Sequence, residues 1–136
     1  MIFFADENFA INGVRVLDAF DRVNEIRHLT DSMNPGTPDE EWLVAIASLE
    51  PKPIVLSGDG RILRNKAQRK VLRSSGLTFV HLSSGWTNLP WDEMAWKLVK
   101  VWPAIVRNVD ESRAATVFEV KPTTQKVYRV GLTAHL

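Results

Sequence analysis

Two short apolar runs that each stop at a carboxylate constrain this chain more than any other feature. Ile2-Phe3-Phe4-Ala5 starts almost at the first residue and gives way abruptly to Asp6-Glu7-Asn8; Ile54-Val55-Leu56 gives way to Ser57-Gly58-Asp59-Gly60. A short apolar run bounded in this way reads as a strand buried on both faces, the mark of a parallel sheet covered by helices. In open sheets of that kind, ligands bind in the crevice beyond the carboxyl ends of the strands, so acids at those ends sit where chemistry is done.

The intervening segments alternate helix and strand. Asn12 is placed to cap a helix reaching Phe20, with Val14, Leu17 and Phe20 toward the core. Glu25 to Leu29 alternates polar and apolar, as an edge strand does. After a turn-rich loop, Thr37 reads as an N-cap and Pro38 as the first helical residue. Asp39, Glu40 and Glu41 then fill a first turn where the helix dipole favours negative charge. The inner side of that helix is Trp42 or Leu43, Ile46, Ala47 and Leu49. Asn65 to Ser75 forms a helix with Ala67, Val71 and Leu72 apolar and Gly76 as its stop, and Leu77 to Leu82 forms the next strand. Trp91, Ala95, Leu98, Trp102 and Ile105 recur at helical spacing on a long helix that Pro103 is expected to kink.

Thr116 to Val120 and Val127 to Val130 flank a turn and predict a β-hairpin, with the chain continuing through Leu132. Two strands are marginal alone, so the hairpin either covers the Trp91–Ile105 helix or pairs with a second copy, and a homodimer is expected. The rhythm as a whole predicts a three-layer α/β/α domain with a mostly parallel central sheet, occupying all of 1–136. Residues 1–112 would be the α/β core and residues 113–136 a hairpin extension.

Composition narrows the chemistry. The chain has 136 residues, 45% hydrophobic, enough for one domain that buries about two thirds of the surface its unfolded form exposes. Cysteine is absent, which removes disulfides and thiolate metal sites and leaves oxygen or histidine ligands, favouring hard cations such as Mg²⁺ or Mn²⁺. No apolar run approaches the ~20 residues of a membrane span and no basic flank precedes Ile2, so no membrane association and a cytoplasmic location are expected. Net charge is only +1, yet Arg61, Arg64, Lys66, Arg69, Lys70 and Arg73 crowd into one interval, and no acid lies between Asp59 and Asp92. Lys66, Arg69, Lys70 and Arg73 recur at helical spacing on one face suited to nucleic-acid phosphates. The bland alternative is a solvated face. His28, His81 and His135 show no ligand spacing and read as structural.

Carboxylates drawn together from separate segments repel one another unless a cation or water lies among them. Mg²⁺ is typically held by one or two carboxylates, waters and substrate phosphate. Taken singly each acid has an ordinary role: Asp6 or Asn8 caps a turn, Asp39 to Glu41 fill a helix start, and Ser57 to Gly60 make a strand-to-helix turn. Their joint occurrence points to a site.

The apolar strand ending Asp6-Glu7-Asn8, the Pro38-Asp39-Glu40-Glu41 helix start and Val55-Leu56-Ser57-Gly58-Asp59 together resemble the PIN-like nucleases. That superfamily includes the ribonuclease toxins of VapC-type toxin–antitoxin pairs. The resemblance covers Ile2 to Leu82. It implies a Mg²⁺- or Mn²⁺-dependent ribonuclease using water as nucleophile, with RNA as substrate and an antitoxin protein as partner. It further implies Asp6 as the first metal ligand, Asp39 or Glu40 as the helix-borne acid and Asp59 as the third ligand, preceded by Ser57. Strand alternation sends Asp6 and Glu7 to opposite faces, so Asp6 is the ligand, with Glu7 or Asn8 supporting it from the turn. The family often carries a fourth acid near the later strand, and here Gly60-Arg61 follows Asp59 instead, which implies that RNA phosphate completes the metal shell.

Two other classes fit parts of the pattern. A PIN-like module without turnover would act through the Trp-rich helix or the hairpin. A receiver-like phospho-acceptor domain also gathers acids around Mg²⁺, but needs a lysine after its fifth strand, and none lies from Leu72 to Glu93.

Overall fold

The computed structural model describes residues 1–112 and 115–130. Strands β1 (Ile2–Ala5), β2 (Glu25–His28), β3 (Ile54–Ser57), β4 (Thr78–Leu82), β5 (Val117–Val120) and β6 (Val127–Val130) form one six-stranded sheet ordered β2-β1-β3-β4-β5-β6. Every pairing is parallel except β5 with β6. Helices α1 (Ile11–Phe20), α2 (Asp39–Ala47), α3 (Arg61–Arg64), α4 (Lys66–Ser75) and α5 (Trp91–Glu111) supply the outer layers. This is the three-layer α/β fold that the apolar runs predict.

Strand alternation sorts the core into two halves. Phe3, Ala5, Leu56, Val80, Leu82 and Phe118 meet Val14 and Leu17 of α1 and Leu98, Trp102 and Ile105 of α5. Phe4, Val55, Phe79 and Val117 face the other way, onto Trp42, Leu43 and Ile46 of α2, Ile62 and Leu63 of α3, and Leu72 of α4. Because side chains alternate between faces, the next residues on this second face at the carboxyl ends are Asp6, Ser57, His81 and Glu119. The chain leaves β1 for one face and β3 for the other, so a crevice opens where β1 and β3 end.

Trp42, Trp86 and Trp102 are fully buried, and each indole N–H has an acceptor: Asp39 Oδ1 at 2.8 Å, the Val120 carbonyl at 2.9 Å and Asp21 Oδ2 at 2.8 Å. An unpaired donor at such a position costs about 1–3 kcal/mol, so these acceptors fix where the rings sit.

Several local expectations are corrected. Helix α1 starts two residues earlier than an Asn12 cap requires, after Ala10, and Phe20 is 48% exposed at its end. Pro38 is the residue before α2 and not its first, and the Thr37 hydroxyl donates to the Asn34 carbonyl at 2.6 Å, closing a turn where a cap was expected. Trp42, Leu43 and Ile46 form the buried face of α2, while Leu49 lies past its end and is 42% exposed.

An additional short helix, α3, separates Asp59 from α4, whose N-cap is Asn65: its side chain accepts from the N–H groups of Ala67 and Gln68. Gly76 ends α4 in the left-handed conformation, φ 74°, as a C-terminal stop requires. Pro103 does not interrupt α5, because Leu98, Val101, Trp102, Ile105 and Val109 bury one continuous face on both sides of it. Trp91 and Trp96 are exposed, and the ammonium groups of Lys97 and Lys100 lie over the Trp96 ring at 5.7 and 5.9 Å.

The hairpin is present. Its first strand joins the central sheet, because β5 pairs in parallel with β4 and is buried along it. β4 and β5 match Phe79 to Val117 and His81 to Glu119. Leu132 and His135 lie outside the described residues.

Candidate active site

The site begins where the β1 ladder ends. The Asp6 N–H continues the ladder to the Leu56 carbonyl at 2.9 Å, which holds the Asp6 side chain beneath the end of β3. Asp6 is only 3% exposed. Its Oδ2 accepts the Ser57 hydroxyl, and its Oδ1 is buried with no hydrogen-bond partner. Burial pushes its pKa from 3.8 up to about 6; hydrogen bonds from Ser57 and the Gly58 N–H oppose the rise, and the charges of Asp59 and Asp39 add to it.

Ser57 is buried and also accepts the Asp59 N–H at 3.0 Å, so one hydroxyl ties Asp6 to the turn after β3. Asp59 projects from that turn. Its carboxylate accepts the Arg61 backbone N–H at 2.9 Å, Arg61 Nε at 2.8 Å and the Asn8 amide at 3.2 Å, with Arg61 Nη2 at 2.7 Å. These Arg61 contacts hold Asp59 below the ordinary carboxylate range. Asn8 therefore bridges the ends of β1 and β3 by bonding Asp59, where support of Asp6 was expected. Glu7 points away from Asp6 and accepts the Gly36 N–H at 3.0 Å, anchoring the loop before α2.

Of the helix-borne acids, Asp39 is committed to the fold. Its Oδ1 takes the Trp42 indole N–H at 2.8 Å and its Oδ2 takes Gln68 Nε2 at 3.0 Å; burial raises its pKa. Glu40 lines the polar cleft of about 450 Å³ that also takes in Glu7, Asn8, Asp39, Asp59 and Arg61. A larger cleft, about 510 Å³, lies away from these acids, between the Phe20–Asn24 segment and α5.

The strand ends thus gather Asp6, Ser57, Asp59 and Asn8, with Asp39 and Glu40 across the cleft. Among the described residues no three His, Asp or Glu side chains close on one point as a complete metal cage. The donors do suit a hard cation: an unpartnered buried Asp6 oxygen, two further negative charges felt by it, and no sulfur. Arg61 now supplies the positive charge at Asp59.

The basic segment divides. Arg61 is paired with Asp59, while Arg64, Lys66, Lys70 and Arg73 are exposed or partly exposed. Arg69, expected on their shared outer face, is 5% exposed and donates from Nη1 to the Leu63 carbonyl at 3.3 Å. It is a correction to the phosphate-binding face. The buried stripe of α4 runs through Arg69 and Leu72, three residues apart, where the arginine stem packs as an apolar group.

His28 has the structural role expected of it, with Nε2 at 2.9 Å from the Phe9 carbonyl and Nδ1 at 2.6 Å from Thr30 Oγ1. His81, which the sequence reads as structural, and Glu119 stand beside Ser57 in the same row at the carboxyl ends of the strands. The signal for this row is a register count, since each is the penultimate residue of a short, mostly apolar strand, level with Ser57. The lysine sought for a receiver-like site does follow the fifth strand, as Lys121, but its ammonium lies over the Tyr128 ring at 5.9 Å.

A family model described as "PIN like domain" matches residues 1–84. No curated protein and no solved structure matches the chain.

Proposed function

From the premise that the chain belongs to the PIN-like domain family, whose fold is of nuclease type, we propose that it is a metal-dependent endoribonuclease, the toxin half of a toxin–antitoxin pair. The observation that carries the reading is the Asp6 carboxylate: buried, with Oδ1 unpartnered, and repelled by Asp59 and Asp39 beside a polar cleft. Burying such a group unpaired costs free energy, and a ligand in the adjoining cleft would offset that cost.

Asp6 and Asp59, with Glu40 across the cleft, would hold Mg²⁺ or Mn²⁺, waters and substrate phosphate completing the shell. The bound ion would supply Lewis-acid polarisation of the phosphate and a more acidic water. The residues of the chain do the rest. Ser57 fixes the Asp6 rotamer, Asn8 and Arg61 orient Asp59, and Arg64, Lys66, Lys70 and Arg73 offer cations to the RNA backbone.

The test is cleavage of a labelled single-stranded RNA by purified protein with Mn²⁺, Mg²⁺ or chelator, for the parent, Asp6→Asn and Asp59→Asn. Loss in both variants and in chelator is expected; undiminished cleavage by Asp6→Asn would sink the mechanism. A PIN-like binding module without turnover is the second reading, favoured by the Arg61 guanidinium already neutralising Asp59. RNA binding that persists without cleavage, and no Mn²⁺ binding even with RNA present, would select it.

A further inference from the structure

Asp6, Ser57, His81 and Glu119 occupy one row across β1, β3, β4 and β5, on the same face of the sheet at its carboxyl edge. Neighbouring strands stand ~4.8 Å apart, so the His81–Glu119 half continues directly from the Asp6–Ser57 half. The match to the family model ends at residue 84, which leaves Glu119 outside it.

His81 Nδ1 is buried without a hydrogen bond and faces Glu119 Oε2 at 3.9 Å. A shift of about 1 Å makes that contact a hydrogen bond. A carboxylate on this side sets the tautomer with the proton on Nδ1 and the lone pair on Nε2.

On its other side the ring meets Gly60. A Cβ there would lie 3.3 Å from His81 Nε2 and Cε1 and 3.9 Å from Arg64 Cζ. Gly60 has ordinary right-handed backbone, φ −73°, so nothing in its conformation calls for glycine; what glycine provides is room above the imidazole. An imidazole nitrogen, a guanidinium and a bare backbone therefore converge beside Asp59. A guanidinium is shaped to hold phosphate oxygens.

We propose that His81, oriented by Glu119, is the proton acceptor of this site, with Arg64 holding the scissile phosphate over Gly60. The inference rests on the nuclease reading. As the oxygen of the attacking water bonds to phosphorus, Nε2 takes one of its protons. The bond from phosphorus to the leaving ribose oxygen breaks, and that oxygen takes a proton from solvent. The imidazolium then returns its own proton to solvent, so one water is consumed and a phosphate monoester and a hydroxyl result. The charged groups facing the ring are Glu119 from β5, Arg64 from α3 and Asp59 from the turn after β3. Burial, the largest influence, favours the neutral ring, Glu119 and Asp59 oppose it and Arg64 reinforces it, leaving the pKa below the ordinary histidine value.

The experiment measures RNA cleavage against pH for the parent, Asp6→Asn, His81→Gln and Glu119→Gln, with circular dichroism melting of each. His81→Gln is expected to lower kcat by about 10²-fold with KM little changed, and to remove the histidine's share of the acid limb while leaving the share set by Asp6. Glu119→Gln, at a partly exposed position, is expected to lower kcat less and move that limb to lower pH. Cleavage that Asp6→Asn abolishes but His81→Gln leaves at the parent rate and profile overturns this proposal and spares the nuclease reading; cleavage undiminished in Asp6→Asn overturns the nuclease reading. Nitrogen-15 NMR of the His81 ring tests the dyad without RNA. A proton on Nδ1 in the parent that moves to Nε2 in Glu119→Gln supports it, and a proton on Nε2 in the parent overturns it.

Discussion

The Ser57 hydroxyl on β3 donates to Asp6 Oδ2 at the end of β1, joining the two acid-bearing strand ends through one buried bond while Asp6 Oδ1 stays unpartnered. An acid held this way is costly to the fold. The stability of the chain should therefore report on the site.

Asp6 gives the first prediction. Its pKa rises from 3.8 to about 6 on folding, so between those values the folded state binds more protons than the unfolded one. By linkage, stability then falls as pH rises from about 4 to about 6 and stays reduced above that window. A shift of about two units is worth ~3 kcal/mol. In chelator, Asp6→Asn should be more stable than the parent at neutral pH by roughly 2–3 kcal/mol and should lack this slope. Urea midpoints across the window check it, and parallel curves for the two proteins would count against it. Added Mn²⁺ should reverse the order by raising the melting temperature of the parent alone.

Arg61 gives the second. Its guanidinium lies 2.7 Å from Asp59 Oδ2 and is largely exposed, so solvent screening leaves its electrostatic worth to the fold small. Arg61→Gln should tighten Mn²⁺ binding several-fold by removing a competing cation, while weakening RNA binding. Calorimetric titration reads the first effect; equal or weaker Mn²⁺ binding would contradict it.

The division of the basic segment is testable by salt dependence. Lys66→Ala, Lys70→Ala and Arg73→Ala should each lower the slope of log affinity for single-stranded RNA against log salt by about 0.7, with melting unchanged. Arg69→Ala should leave the slope alone and cost ~2 kcal/mol of stability, since Arg69 is buried with its Nη1 on the Leu63 carbonyl. A slope change in Arg69→Ala would return it to the RNA face.

Asp21 should govern acid stability. Burial would raise its pKa, but bonds from the Asn24 N–H and amide, the Trp102 indole and the Val23 N–H outweigh burial and bring it to about 2. A carboxylate with a depressed folded pKa contributes stability above its unfolded value, lost as pH falls toward 2. Asp21→Asn should flatten that acid loss and cost ~1–2 kcal/mol at neutral pH. Acid-titration melting curves decide; an unchanged acid slope would refute the assignment.

The sequence by itself determined the layers. Continuous apolar runs such as Ile54-Val55-Leu56 and the period-3.6 stripe through Leu98, Trp102 and Ile105 are local patterns that burial imposes on any chain, so the sheet, its helices and the strand-end placement of Asp6 and Asp59 were legible. What followed from contacts between distant segments was not. Asp39 and Glu40 look alike in a first turn, and only the packing of Trp42 and Gln68 commits Asp39 to the fold and leaves Glu40 to the cleft. Arg69 looks like its neighbours until the rotation of α4 on the sheet turns it inward. His81 and Glu119 are 38 residues apart in sequence, and only the parallel register of β4 and β5 sets them side by side. Register is fixed by the whole sheet and by the helices packed on it, so a row of side chains across four strands is a property of the tertiary structure.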